Sequence, residues 1–271
     1  MKRVKESIVP ICEIIILIIC LAFPSIIDLD NWFQQYLSEN YVTPENVIYY
    51  WALNNGNFIT GILLFTLVYW WMRSNNKDLL FNRENVYHDY PYVWYFICAK
   101  ALGIKKCNLV NVPIYMQFKL VVHRTFDEFP LDDLDYPEME NQKIVIEYYN
   151  KDKSKNCAEY NMLLEDTYPI STAQLPHEKQ ALFTIRISRN DGRTVCRHFS
   201  QQFINSVINE TRGLPSGVTL NVYATTNPKN TLNIARRVFT MADRGNVSHV
   251  LVFQQRRDGE RLFERNGKRL Y

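Results

Sequence analysis

Two apolar stretches close to the N-terminus constrain this chain more than anything else in it. The first, IVPICEIIILIICLAFPSII over residues 8–27, would measure about 30 Å as a helix, one hydrocarbon thickness. The second covers residues 47–72, with Tyr49, Tyr50 and Trp51 at one end and Tyr69, Trp70 and Trp71 at the other. Aromatic side chains collect at membrane interfaces, so Trp51 to Trp70 predicts a full-length second span, unbroken unless protein or water covers a break in its first turn. Lys2, Arg3 and Lys5 precede the first stretch and Arg73, Lys77 and Arg83 follow the second, whereas residues 28–46 hold four acids and no Lys or Arg. The positive-inside rule then predicts a multi-pass protein of the cell inner (plasma) membrane, its first partner the lipid bilayer, with both termini cytoplasmic. A cleaved signal peptide is the competing reading of the first stretch. Against it, LAFPS is a poor small-x-small cleavage site and Glu13 interrupts the apolar region.

The remaining 200 or so residues have an ordinary soluble composition, and 47% hydrophobic with 14% aromatic content across 271 residues excludes a disordered chain. The expected organisation is a two-helix anchor over residues 1–73, a juxtamembrane connector over 74–108 and a cytosolic α/β domain over 109–271. Cysteines fall at 12, 20, 98, 107, 157 and 196 without a Cys-x-x-Cys pair. That spacing offers neither a zinc site nor a disulfide framework.

Polar residues inside the spans raise a separate question. Asn54, Asn55 and Asn57 surround Gly56 in the outer third of the second span, and Glu13 sits about one turn inside the cytoplasmic end of the first. Helix–helix hydrogen bonding between subunits of a homo-oligomer is the leading expectation for the asparagines. Hydration at the outer interface and a water-filled pore are the alternatives, and a pore would need several chains. Glu13 is expected to reach the interface or to meet Arg73.

In the connector, Pro91 and Gly103 bracket a short helix that suits either the inner membrane surface or a protein core. Beyond it, VNVPIYMQFKLVVH (110–123) alternates well enough to predict a strand, and residues 142–150 and 158–170 read as a hairpin. FDEFPLDDLDYPEMEN between them carries seven acids from Asp127 to Glu140. It lacks the glycine and ligand spacing of a calcium loop and reads as a surface or interaction segment. From residue 181 the pattern becomes strand (181–188), helix (193–212), strand (218–225), helix from Asn227, strand (247–257) and a returning terminal segment. This predicts a cytosolic α/β, Rossmann-like domain with a mixed sheet behind two N-terminal transmembrane helices.

Ligands of open α/β sheets bind beyond the carboxyl ends of the strands. Here those ends carry SRNDGR, TTNPK and QQRRD, and residues 179–271 hold 16 Lys or Arg against 6 Asp or Glu. Arg189, Arg193, Thr226, Asn227 and Lys229 are therefore the candidate contacts for a phosphate-bearing ligand, with Thr226 or Asn227 capping the following helix. No Walker loop, GxGxxG, HExxH or GxSxG motif is present, and no cofactor is implied. Glu165 and Asp166 are the best carboxylates for an alternative role as a membrane-anchored nuclease or phosphodiesterase. A third possibility is a passive anchor for a partner complex.

Two short N-terminal spans ahead of a basic cytosolic α/β domain resemble the two-transmembrane effectors of bacterial anti-phage systems, of the cyclic-oligonucleotide (CBASS-type) or retron-associated kind. The likeness lies in layout and carries over no residue. It implies a non-enzymatic effector whose cytosolic domain senses a cyclic nucleotide or another phosphate-bearing ligand, or a defence-system protein partner. Sensing would then drive assembly of the spans and damage to the membrane.

Overall fold

The apolar N-terminal stretch forms α1 (Lys2–Ile26), in which Ser7–Ile26 is long and apolar enough to cross a membrane. In the computed structural model the described residues are 2–37, 47–138, 143–153, 158–189, 197–240, 246–256 and 259–271. They divide into two units, residues 1–86 with 96–106, and residues 87–95 with 107–271.

In the first unit α1 is followed by α2 (Leu29–Leu37), α3 (Val47–Asn54), α4 (Gly56–Asn76) and the two-residue strand β1 (Leu80–Phe81). α1 and α4 pack along each other around Leu17, Met72 and Leu102. Gly61 permits the approach: a Cβ there would lie 2.9 Å from the Leu21 carbonyl oxygen. Small residues serve close helix packing in this way. The outward faces remain apolar, with Ile15, Ile18, Ile19, Phe58, Leu63 and Leu67 all exposed.

The second apolar stretch is not the unbroken helix that its aromatic ends predict. α3 and α4 meet at Asn55 with a bend of 73°. Glycine and asparagine weaken a helix locally, the second because its side chain competes for backbone groups, and here the competition is visible. Asn55 Nδ2 donates to the Trp51 carbonyl (2.8 Å), in place of a backbone N–H. Asp30 of α2 accepts from the Asn57 N–H (2.6 Å), while its own N–H donates to Asn57 Oδ1 (3.2 Å). Gln34 donates to Asn54 Oδ1 (3.0 Å). Asn54, Asn55 and Asn57 are thus engaged within the chain. Glu13 does not meet Arg73. Its carboxylate accepts from Asn76 Nδ2 (2.9 Å), and Arg73 instead donates to the carbonyls of Lys100 and Ala101.

The chain continues through α5 (Tyr92–Phe96), a π-helical turn over Ile97–Ala101, β2 (Lys106–Cys107) and α6 (Ile114–Val122). The strand expected over 110–123 is this helix. Pro113 precedes its first residue, and the buried residues Met116, Gln117, Phe118, Leu120 and Val121 trace a helical face. An apolar run of this length satisfies both periods, and a proline at its start favours the helix.

A six-stranded mixed sheet forms the centre of the second unit. Its strands are β3 (Val145–Tyr149), β4 (Glu159–Glu165), β5 (Thr184–Ser188), β6 (Val218–Ala224), β7 (Val247–Phe253) and β8 (Lys268–Arg269), in the order β3-β5-β4-β6-β7-β8. Strands β5, β4, β6 and β7 run parallel, and β3 and β8 lie antiparallel at the edges. β3 and β4 are consequently not a hairpin, because β5 inserts between them. β4 is buried along almost its whole length while β3 is mostly exposed, as expected of a central and an edge strand.

Alternation along the strands divides the core. Leu163, Tyr223 and Phe253 share one face and pack with Ile170, Leu175 and Phe263. On the other face α7 (Gln201–Arg212) approaches, with Thr211 Oγ1 4.0 Å from Met162 Sδ. α8 (Pro228–Ile234), extended by a π-helical turn over Ala235–Phe239, packs beside α6 and α7, where Phe118 and Phe239 meet edge to face at 5.4 Å.

Candidate functional site

The parallel strands β4 and β6 end side by side, and the residues just beyond their ends build a polar corner. Thr225 N donates to the Leu164 carbonyl (3.0 Å) and Thr167 N to the Thr225 carbonyl (3.1 Å), so the sheet pairing extends past both strands. The Thr225 hydroxyl then donates to the Tyr168 carbonyl (2.6 Å).

Asp166 is the hub of the corner. Its side chain is fully buried, and Oδ2 accepts from Asn227 N (2.9 Å), Asn227 Nδ2 (2.8 Å) and Asn230 Nδ2 (2.8 Å). The same two asparagine amides donate to the His198 carbonyl. Arg189 Nε lies 2.5 Å from Asp166 Oδ1, with only 4% of the arginine side chain exposed. Burial pushes the Asp166 carboxyl up, against the pull of the Arg189 guanidinium and of the Asn227 and Asn230 donors. Burial also holds the His198 imidazole below its usual range, Arg189 adding to the effect and Asp166 opposing it. Buried carboxylates survive when they are paired and hydrogen-bonded; here Oδ2 has the hydrogen bonds, and Oδ1 has the Arg189 charge beside it without an aligned hydrogen bond.

Beside the corner lies a cavity of about 220 Å³. Thr167, Thr225, Thr226 and Asn227 form its strand-end wall, Val110, Asn111, Ile114 and Gln117 its α6 side, and Tyr168, Arg197, Pro228 and Gln255 complete it. Arg197 is exposed and bonds Tyr136, whose phenol burial pushes up and Arg197 draws down.

The five candidate contacts separate. Thr226 and Asn227 line the cavity, but their side chains are engaged: Thr226 Oγ1 bonds Thr231 Oγ1 (2.7 Å), and Asn227 caps α8 by accepting from Asn230 N (2.9 Å). Arg189 is enclosed with Asp166. Lys229 lies outside the cavity lining, paired with Asp133 (2.7 Å) and placed over the Phe199 ring. Part of the acidic segment is thereby turned onto the base expected to meet a ligand. Arg193 lies outside the described residues. Glu165, like Asp166, has no exposed side-chain surface, and its Oε1 accepts from Ile170 N and Arg186 Nε, both at 2.8 Å. Among the described residues no group of three or more His, Cys, Asp or Glu could hold a metal ion.

Gln117, Tyr168 and Arg197 are cavity residues that residue types and spacing did not single out. A signal for Gln117 exists: one amide within IYMQFKLVV, three residues after Ile114 and on the same helical face.

The family model described as the SMODS- and Ubiquitin system-associated 2TM effector domain (SUa-2TM) matches residues 2–270. Two solved structures of the Acinetobacter baumannii Cap4 SAVED/CARF-domain containing receptor are similar to this chain at 9% sequence identity. The one with the cyclic trinucleotide 2'3'3'-cAAA has a TM-score of 0.42 over 64% of this chain and 40% of the receptor. The one with 3'3'3'-cAAA has a TM-score of 0.40 over 65% and 41%. This chain thus spans about two fifths of the length of those receptors. No curated protein sequence matches it.

Proposed function

The chain belongs to this family of SMODS- and ubiquitin system-associated two-transmembrane effectors, and on that premise we propose that it is a ligand-gated membrane effector of anti-phage defence. The unit built on the mixed sheet binds a phosphate-bearing small molecule of the nucleotide class. Binding there drives chains to assemble through their N-terminal helices in the cell inner membrane, both termini cytoplasmic, and the assembly breaches the bilayer. The observation that carries the reading is the polar cavity at the carboxyl edge of the parallel strands, in a chain whose other unit presents outward apolar helices. The carboxyl edges of open parallel sheets are where such ligands bind, and Arg197 supplies a cation at this one. Assembly is required by arithmetic, since α1 with α3–α4 cannot enclose a conducting path in one copy.

The effector is non-enzymatic in this reading. Glu165 and Asp166, the carboxylates a hydrolase would use, are both enclosed: Glu165 Oε1 accepts from Arg186 and Ile170, its Oε2 is buried without a hydrogen-bond partner among the described residues, and Asp166 is held by Asn227, Asn230 and Arg189. Asp133 of the acidic segment is held by Lys229, which favours a ligand sensor over a passive anchor docking partners on that segment.

The test is purified full chain in liposomes loaded with a self-quenched dye, titrated with cyclic di- and trinucleotides. Dye release by at least one of them, lost in Arg197→Glu, is the expected result. Silence towards every nucleotide, from protein shown to be inserted and folded, refutes the proposal.

A further inference from the structure

We propose that Gln117 makes the cavity selective for a nucleobase carrying an N–H donor, so that the base and not the phosphate enters it. This rests on the nucleotide reading above and adds which part of the ligand goes in, and how. Gln117 lies on α6 with 4% of its surface exposed and lines the cavity. Its Nε2 donates to the Val112 carbonyl at 2.8 Å. A carbonyl oxygen can only accept, so this bond fixes which end of the amide is which. Oε1 is thereby left as a buried acceptor, with no hydrogen-bond partner among the described residues.

The neighbouring polar groups make that vacancy specific. The hydroxyls of Thr167, Thr225 and Thr226 and the side chain of Asn227 are each bonded within the protein. Among the lining side chains the buried atom without a partner is Gln117 Oε1, so the buried demand at the cavity is for a donor. A phosphate diester, which has acceptor oxygens and no N–H, cannot meet it, whereas an exocyclic amine can. Arg197, on the exposed side of the same lining, is the group suited to phosphate. Size agrees: about 220 Å³ is below the roughly 300–1,000 Å³ of pockets that enclose a drug-sized ligand. One ring system fits, among Ile114, Tyr168 and Pro228, and an entire cyclic oligonucleotide does not.

The experiment pairs a ligand change with a residue change. Full chain in nanodiscs is titrated with a cyclic trinucleotide of adenine and with the same ring built from unsubstituted purine, which lacks the exocyclic amine. Wild type should bind the adenine ring about tenfold or more tightly than the purine ring, the usual consequence of leaving a buried acceptor empty. Gln117→Leu should abolish that preference while binding the purine ring within about threefold of wild type. Gln117→Met serves if the leucine variant melts early. Equal binding of the two rings by wild type, or a tenfold preference surviving in the variant, overturns the role of Gln117 and leaves the nucleotide reading standing. Binding of neither ring by folded wild type overturns the nucleotide reading, and this inference with it.

Discussion

Replacing Asp166 by asparagine changes one charge and almost no volume, yet it should be among the most damaging substitutions in the chain. Oδ2 collects three N–H donors and Oδ1 faces Arg189, itself 96% enclosed. Asparagine can still accept from some of those donors, but it withdraws the carboxylate charge that lies 2.5 Å from the guanidinium. Breaking a buried ion pair from one side costs about 3–5 kcal/mol, a large part of the roughly 5–15 kcal/mol that holds a domain together. For a folded unit of this size each kcal/mol moves the midpoint by about 2–4 °C, so Asp166→Asn should lower the melting temperature by roughly 6–20 °C. The assay is intrinsic-fluorescence thermal unfolding of the full chain in detergent or nanodiscs. Adding Arg189→Met removes the other charge of the pair and should recover part of the loss, a coupling that only neighbouring groups show. A drop below about 2 °C in the single variant, or a double variant no more stable than the single, would refute the assignment of Asp166 as the hub.

Three further outcomes rest on the same geometry. His198 has a depressed pKa in the folded state, so the unfolded chain takes up its proton first as the pH falls. The contribution of His198 to stability is therefore present above about pH 6.5 and lost as the pH drops through the lower folded value; His198→Gln should flatten that part of a melting-temperature profile from pH 7.5 to 5. Gly61→Ala would place a methyl 2.9 Å from a backbone oxygen of Leu21, which should loosen the α1–α4 pair by about 1–3 kcal/mol, read as a lower midpoint in nanodiscs; an unchanged midpoint argues against the close approach. Asp30→Ala removes the cap on α4, worth about 0.5–2 kcal/mol, and spin labels at exposed Ile48 and Leu63 should then report a broader, longer distance distribution. An unaltered distribution would mean that Asp30 does not hold the bend.

What the sequence disclosed and what it hid divide along the range of the forces involved. A cap of α8 by Thr226 or Asn227, with Pro228 at its first position, comes from chemistry confined to a few residues, and Asn227 is the one that forms it. The strands at 184–188, 218–224 and 247–253 carry their own apolar patterns, and all three are present. The partner of β3 is not legible in this way, because it is chosen by pairing across the sheet with a strand some forty residues downstream. α6 reads equally well as a strand because a largely apolar segment of this length fits either period, and Pro113 is the residue that decides between them. Within the site, residue types located the strand-end corner, since Thr226 and Asn227 do line the cavity. They could not reveal that Asp166, Thr231 and Asn230 occupy those side chains, because satisfaction of hydrogen bonds is a property of the fold and not of any one segment.

The bend at Asn55 also bears on how the second span is measured against a bilayer. Run straight, residues 47–76 would make a helix of about 45 Å, half as long again as the roughly 30 Å hydrocarbon layer, and would need steep tilt or a thickened membrane. Broken at Asn55, the 21 residues of α4 span about 32 Å, close to that thickness. The Asp30 carboxylate and the Asn55 amide stand in for two backbone bonds that the straight helix would have made. In the proposed membrane setting the asparagine cluster acts as a length stop, cutting an overlong helix to fit and leaving the aromatic residues of α3 to turn along the interface.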